Sequence, residues 1–176
     1  MTSLAALRLD LIPLSQEALA ALIAVDRLSA EREIGAQLPP GELLPPEMAD
    51  ALDHFLGLVR SDPDNAIWSA RAYVDRALGA VVGMGGFGGP PGAGNTVTLG
   101  YSIYPQWQRR GYATEAATAL TDWALAQPGV HCVRATIVPG HIASEKVARA
   151  AGLQPTGRTE QDQEQGKVQV WERRRG

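Results

Sequence analysis

Hydrophobic positions recur with two different spacings along this chain, and the switches between them mark its elements. Leu7, Leu9 and Leu11 alternate with Arg8 and Asp10, which predicts a first strand ended by Pro13. Ser15 is a cap residue, followed three positions on by Ala18 rather than an acid. Beyond it, Leu19, Leu22, Ile23 and the run Val25 to Leu28 predict one helix to about residue 30. Pro39, Pro40, Pro45 and Pro46 forbid regular structure. Pro46 is placed to open a second helix over about 46–60, with Met48, Leu52, Phe55, Leu56 and Val59 on one side. Asn65 to Val74 and Ala77 to Gly83 predict two strands turned at Asp75-Arg76. Thr96 to Tyr104 alternates β-branched and aromatic residues and predicts another strand. Behind it, Ala113, Ala116, Ala117, Leu120 and Ala124 fall on one stripe of a helix ending near Gln127. His131 to Val138 reads as an apolar strand, and residues 141–151 as a short helix stopped by Gly152. Leu153 to Arg158 and Lys167 to Glu172 close a last hairpin across a polar loop, 159–166.

No internal repeat or linker divides the 176 residues, so this alternation predicts a single α/β domain. With 45% hydrophobic and 20% charged residues, the chain is globular rather than disordered. A formal net charge of −3 gives no basic face for a nucleic-acid partner. The N-terminal residues lack a charged segment followed by an apolar one, and no apolar run is long enough for a membrane span. The expected location is the cytoplasm. One cysteine, Cys132, cannot form an intramolecular disulfide, and its apolar neighbours predict a small buried side chain.

Two glycine-containing stretches carry candidate chemistry. Gly83-Met84-Gly85-Gly86-Phe87-Gly88 satisfies a dinucleotide-binding spacing. That motif must open a helix and be followed about 20 residues later by an acid. Gly89-Pro90-Pro91-Gly92 opens no helix, and no Asp or Glu occurs between Asp75 and Glu115. These glycines are therefore expected in a flexible loop between strands. Gln108-Arg109-Arg110-Gly111-Tyr112-Ala113 differs, because it lies between a predicted strand and a predicted helix. A helix start offers N–H groups without intrahelical partners and the positive end of the helix dipole, so this turn suits a phosphate. Gly111 lets the backbone approach, and Arg109 and Arg110 add charge.

Gln-x-x-Gly-x-Ala in this position resembles the pyrophosphate loop of the GNAT acetyltransferases. The likeness extends through Gly100-Tyr101, through Gly111-Tyr112-Ala113-Thr114-Glu115-Ala116, and through Ser144, Val147 and Ala151-Gly152-Leu153. These residues are similar to the branch that includes the ribosomal-protein-alanine N-acetyltransferases. The resemblance implies a mixed, mostly antiparallel sheet of six to seven strands, splayed at its centre and flanked by about four helices. It divides the domain into an acceptor-side wall (1–65), an acetyl-CoA-binding core (66–157) and a C-terminal hairpin (158–176). It implies acetyl-CoA as cosubstrate, without a metal, and a primary amine as acceptor, either a small molecule or a protein N-terminus. A homodimer is compatible with it. Tyr101, Ser102 and Ile103 are implied to hold pantetheine and the thioester through their backbones, with Ile103 the principal one. Gln108, Arg109, Arg110, Gly111, Tyr112, Ala113 and Thr114 are implied to cradle the phosphates.

This chain departs from the family pattern at three positions. His141 stands where Asn opens the helix that carries Ser144, Ala148 stands where many relatives have a proton-donating Tyr, and Thr98 stands where many have Glu. Ser144 is the remaining donor for the leaving thiolate and, with His141, is implied to face the coenzyme. Candidates for the base are Glu33, Glu42, His54 and His141, or a water chain. Glu33 and Glu42 are preferred within an acidic wall that also holds Asp26, Glu31, Glu47, Asp50 and Asp53. Such a wall would attract a cationic amine. Thr98 and Ala148 also support a second reading, a coenzyme A-binding module without catalysis.

Overall fold

The computed structural model describes residues 3–176. Its centre is one sheet of eight strands in the order β1-β2-β3-β4-β5-β6-β8-β7. The strands are β1 (Leu4–Ala5), β2 (Leu9–Pro13), β3 (Ala70–Asp75), β4 (Ala80–Phe87), β5 (Thr96–Ile103), β6 (Cys132–Ile137), β7 (Gln154–Asp162) and β8 (Gly166–Arg174). Every neighbouring pair is antiparallel except β5 and β6, which run parallel. The crossover between those two is helix α4 (Tyr112–Ala126), as parallel strands require. Its predicted stripe is its buried face: Ala116, Ala117, Leu120 and Ala124 are inaccessible. Helix α5 (Ile142–Ala150) joins α4 on one face of the sheet, over a core that includes Leu9, Tyr73, Leu99, Leu120 and Trp171. The other face is covered by α1 (Gln16–Ile23), α2 (Arg27–Ile34) and α3 (Leu52–Ser61), over Leu19, Leu22, Phe55, Leu56, Met84 and Tyr104.

Five expectations are corrected. The first helix breaks at Val25, which has φ 58°, and restarts when Asp26 accepts the Ser29 N–H at 3.1 Å. Val25 and Leu28 are exposed, so the apolar run that suggested continuity is not a buried face. The second helix does not open at Pro46. Glu47 takes φ 64°, a short 3-10 turn follows at Ala49–Ala51, and α3 begins only at Leu52. Residues 63–68 form a 3-10 helix in place of a strand start, because the Asp62 carboxylate caps Pro63-Asp64.

The fourth correction concerns the glycine run, which is not a loop but the second half of β4. Gly83 pairs with both Tyr73 and Ile103, and Gly85 pairs with Tyr101. The ring of Tyr73 lies across Gly83 and Gly85. A β-carbon on Gly83 would sit 3.1 Å from that ring and 2.5 Å from the Ser102 carbonyl. Bare backbone is needed there for packing, not for flexibility. The last hairpin is also longer than its hydrophobic pattern, because polar residues Thr159 to Asp162 extend β7 along β8.

Candidate active site at the splayed strands

β5 and β6 pair only over Thr96–Thr98 and Cys132–Arg134. Beyond that point β5 keeps its other neighbour, β4, while β6 stays with β8, so the sheet opens between Leu99–Ile103 and Ala135–Ile137. Strand parity says which backbone groups face the opening. Gly88 N–H donates to the Thr98 carbonyl at 3.0 Å, and Tyr104 N–H donates to the Val82 carbonyl at 3.1 Å. Even-numbered residues of β5 therefore turn their polar groups to β4. Leu99, Tyr101 and Ile103 turn theirs into the gap. The side chain of Gln108 takes one of these groups, donating to the Ile103 carbonyl at 3.1 Å. The strand edge remains otherwise free for a ligand that carries amides.

β5 leads through a short 3-10 turn, Pro105–Trp107, to the start of α4. Arg109 has φ 63° and Gly111 has φ 82°, two left-handed residues that fold the backbone back under the helix. Among the described residues, no protein acceptor meets the N–H groups of residues 109–114. Unpartnered donors gathered at a helix start are an arrangement that suits an anion. Its framework is held from the far side. Glu115 accepts from Arg8 Nε at 2.8 Å and from the backbone N–H groups of Arg8 at 2.6 Å and Leu9 at 3.0 Å. Arg8 in turn donates to the Arg110 carbonyl at 3.1 Å and lies over the Tyr112 ring. With its carboxylate committed to Arg8 and Leu9, Glu115 leaves the N–H groups before it open. Arg109 and Arg110 are exposed, the latter stacked on Trp107. Ala113 and Thr114 are half-buried in the first turn.

Tyr112 anchors that turn from below. Its hydroxyl donates to Asp75 Oδ2 at 2.7 Å, and both residues are buried. Burial by itself would raise the Asp75 carboxyl. Hydrogen bonds from the Tyr112 hydroxyl and the N–H groups of Leu78 and Ala77 outweigh it and hold the group below its ordinary value. A carboxylate with a depressed pKa adds stability above its unfolded value, and that stability is lost as the pH falls through the folded value. Tyr112→Phe should cost about 1–3 kcal/mol near neutral pH. In urea titrations the gap between wild type and variant should narrow as the pH falls below the usual carboxylate range. A gap independent of pH would exclude this bond as its source.

The opening is part of a cleft of about 560 Å³ that passes from one face of the sheet to the other. On the α5 side it is lined by Tyr101, His141 and Ser144. The Tyr101 hydroxyl donates to the Ser144 carbonyl at 3.0 Å and lies 3.2 Å from Ser144 Oγ. Burial raises the Tyr101 phenol, and its bond to Ser144 opposes that rise. His141 caps α5, its Nδ1 accepting the Ser144 N–H at 3.2 Å. That bond places the imidazole proton on Nε2, so His141 has no lone pair to offer as a base while it caps the helix. Ala148 is buried beneath this group.

On the opposite side the lining comes from Pro46, Glu47, Met48, Asp50, Ala51 and Phe55. Two hydroxyls, one on β5 and one on the residue that follows it, staple this wall to the sheet. Ser102 Oγ donates to the Pro46 carbonyl at 2.7 Å, and Tyr104 Oη donates to the Leu43 carbonyl at 2.8 Å. The tip of the β7–β8 hairpin, with Asp162 and Glu164, closes the rim.

The cleft thus gathers Tyr101, Ser102, His141 and Ser144 beside the 108–114 cradle, and Ile103 turns its N–H toward the same gap. It does not gather Glu33 or Glu42. Both are exposed, and Glu33 pairs with Arg32 at 3.9 Å. The end of α2 leads to Gln37, which bridges Ala80 at the start of β4, whereas the cleft is lined by the end of that strand. Strand direction carries α2, and Glu33 with it, to the other end of β4, and Glu42, in the loop beyond α2, is not among the residues that line the cleft. His54 is exposed, with Nε2 donating to the Gly88 carbonyl at 2.8 Å at the outer edge of the wall. The resemblance implies backbone roles alone for Tyr101 and Ser102, yet both hydroxyls tie the cleft together. Their alternation on β5 sends one to each face, which was legible in the sequence once the gap was known.

Among the described residues no cluster of His, Cys, Asp and Glu could hold a metal ion, and no helix is long and apolar enough to cross a membrane. A family model described as an acetyltransferase (GNAT) domain matches residues 8–154. The uncharacterized N-acetyltransferase YjdG of Bacillus subtilis is 25% identical over 124 residues, 70% of this chain and 73% of that protein. YnaD of the same organism, also described as an uncharacterized N-acetyltransferase, is 32% identical over 63 residues, which is 36% of this chain and 37% of that one. Among solved structures, the ribosomal L7/L12 alpha-N-protein acetyltransferase RimL in complex with coenzyme A superposes with a TM-score of 0.66. It is 14% identical, with 98% of each chain covered.

Proposed function

The chain belongs to the GNAT acetyltransferases and is an acyltransferase enzyme, and we propose that it carries the acetyl group of acetyl-CoA to a primary amine by direct attack on the thioester. The observation that carries this reading is the free edge of β5. It places gap-facing N–H groups next to the donor cradle of α4, in a cleft open on both faces of the sheet.

Bound acetyl-CoA would supply an activated acyl group, and the chain's own residues supply the rest. N–H groups of 109–114 hold the pyrophosphate. The N–H of Ile103 faces the gap where the thioester carbonyl would lie, and would stabilise charge developing on its oxygen. Ser144 Oγ gives a hydrogen bond, and then a proton, to the departing sulfur, with Tyr101 and His141 fixing its position. The amine enters from the Pro46–Phe55 side, so that nucleophile and leaving group meet from opposite faces of one sheet.

Ser144→Ala should lower turnover by about 100-fold while leaving acetyl-CoA affinity nearly intact, measured by thiol release and by calorimetry. An unchanged rate would assign the thiolate's proton to water and leave Ser144 as part of the helix start. Binding of acetyl-CoA without thiol release from any amine would favour the reading as a coenzyme A-binding module.

A further inference from the structure

Glu47 is a non-glycine residue in the left-handed region, with φ 64°, exposed at the lining of the cleft. That conformation strains an ordinary side chain and persists only where its surroundings impose it. Here the imposing contact is visible. Ser102 Oγ grips the carbonyl of the preceding Pro46, and Met48 N–H closes a turn on the Pro45 carbonyl at 3.3 Å. Ser102 is flanked on β5 by the gap-facing Tyr101 and Ile103. Glu47 is therefore pinned one residue from the strand that would hold the thioester, on the face from which the amine would approach.

We infer that Glu47 is the general base, taking a proton from the ammonium form of the acceptor, with Ser102 as its positioning residue. This assignment rests on the acetyl-transfer reading above. The carboxylate accepts one proton from R–NH3+. The freed nitrogen lone pair forms the C–N bond as the C–S bond breaks, a second nitrogen proton balances the one that the thiolate gains, and Glu47 returns its proton to water. The other ionisable groups around the cleft fit this step less well. Asp162 spends its carboxylate on the N–H groups of Glu164 and Gln165, at 2.9 and 2.8 Å, and these bonds hold its pKa down. Glu164 rides the hairpin tip, and Asp50 lies in the 3-10 turn, further along the chain from the Pro46 carbonyl that Ser102 holds. His141 caps α5, and His54, itself absent from the lining, is bonded to the carbonyl of the lining residue Gly88.

The test uses the full chain and two kinds of acceptor. Primary alkylamines (butylamine, tyramine and alanine amide) are ammonium ions at neutral pH and need a base, whereas hydroxylamine is neutral there and needs none. Glu47→Gln should lower kcat/KM for the alkylamines by about 100-fold. It should leave hydroxylamine turnover and acetyl-CoA affinity within about twofold, and the deficit should shrink as the pH is raised toward the alkylamine's own ionisation. Ser102→Ala should show the same pattern to a smaller degree. Glu47→Gly relieves the left-handed strain, and should raise Tm by about 2–4 °C while losing alkylamine turnover, which separates the catalytic loss from misfolding. Equal loss with both acceptor types, or none with either, would overturn the assignment. Wild-type protein that binds acetyl-CoA but acetylates neither these acceptors nor peptide N-termini would instead overturn the reading beneath it.

Discussion

Gly85→Val should leave little soluble, folded protein. A β-carbon at Gly85 would overlap the Tyr73 hydroxyl and the Gly100 carbonyl and would lie 2.7 Å from Tyr101 Cα. Two of these three are backbone atoms of the neighbouring strand, so no side-chain rotation relieves the clash. Tyr73 is wholly buried, with its hydroxyl unpartnered, and has nowhere to move. Overpacking a site of this kind costs about 3 kcal/mol or more, a large part of a typical stability of about 5–15 kcal/mol. Gly57→Ala provides the contrast. Gly57 lies inside α3 with open space around it, so the substitution should stabilise the protein by about 0.5–1 kcal/mol. Soluble yield and thermal melts of the two variants would show the opposite signs. A folded Gly85→Val protein with near-normal Tm would mean that β3, β4 and β5 are not packed as described.

Gly111→Val should abolish measurable acetyl-CoA binding while leaving the circular dichroism spectrum unchanged. The cause is backbone conformation more than bulk. A β-carbon at Gly111 would point toward Arg8 Nη2, 3.5 Å away, where there is room to adjust. However, φ 82° is closed to a β-branched residue, so the turn that aims the N–H groups of 109–114 must refold. Loss of several donors at once should weaken binding by at least about 100-fold, which corresponds to one or two charge-assisted hydrogen bonds. Arg109→Ala and Arg110→Ala should cost less, because those side chains are exposed and screened while the backbone donors remain. Calorimetry gives the answer directly, and retained micromolar affinity in Gly111→Val would remove the cradle from the account.

Much of the proposed coenzyme side was legible in the sequence because its geometry depends on local order. A strand, a Gly-bearing turn and an alanine-striped helix are adjacent in the chain, and adjacency fixes their geometry. The acceptor side was not, because it depends on contacts between distant residues. Glu33, Glu42 and Glu47 look alike as acids in one wall. What separates them is the bond from Ser102 to Pro46, across 56 positions. The glycines of β4 misled for a related reason. Their spacing reads as a loop until Tyr73, on another strand, supplies the ring that needs their bare backbone. The helix break at Val25 shows the converse case, in which an apolar run promised burial and the Asp26 cap decided the boundary.

The most direct test of acetyl transfer through this cleft is thiol release from acetyl-CoA in the presence of wild-type protein and a panel of primary amines, with the products identified by mass spectrometry. The account predicts thiol release that depends on the amine, saturates in both substrates and yields a mono-acetylated amine in equal amount. Thiol release no faster than in the absence of protein, across small-molecule amines and peptide N-termini alike, would contradict it.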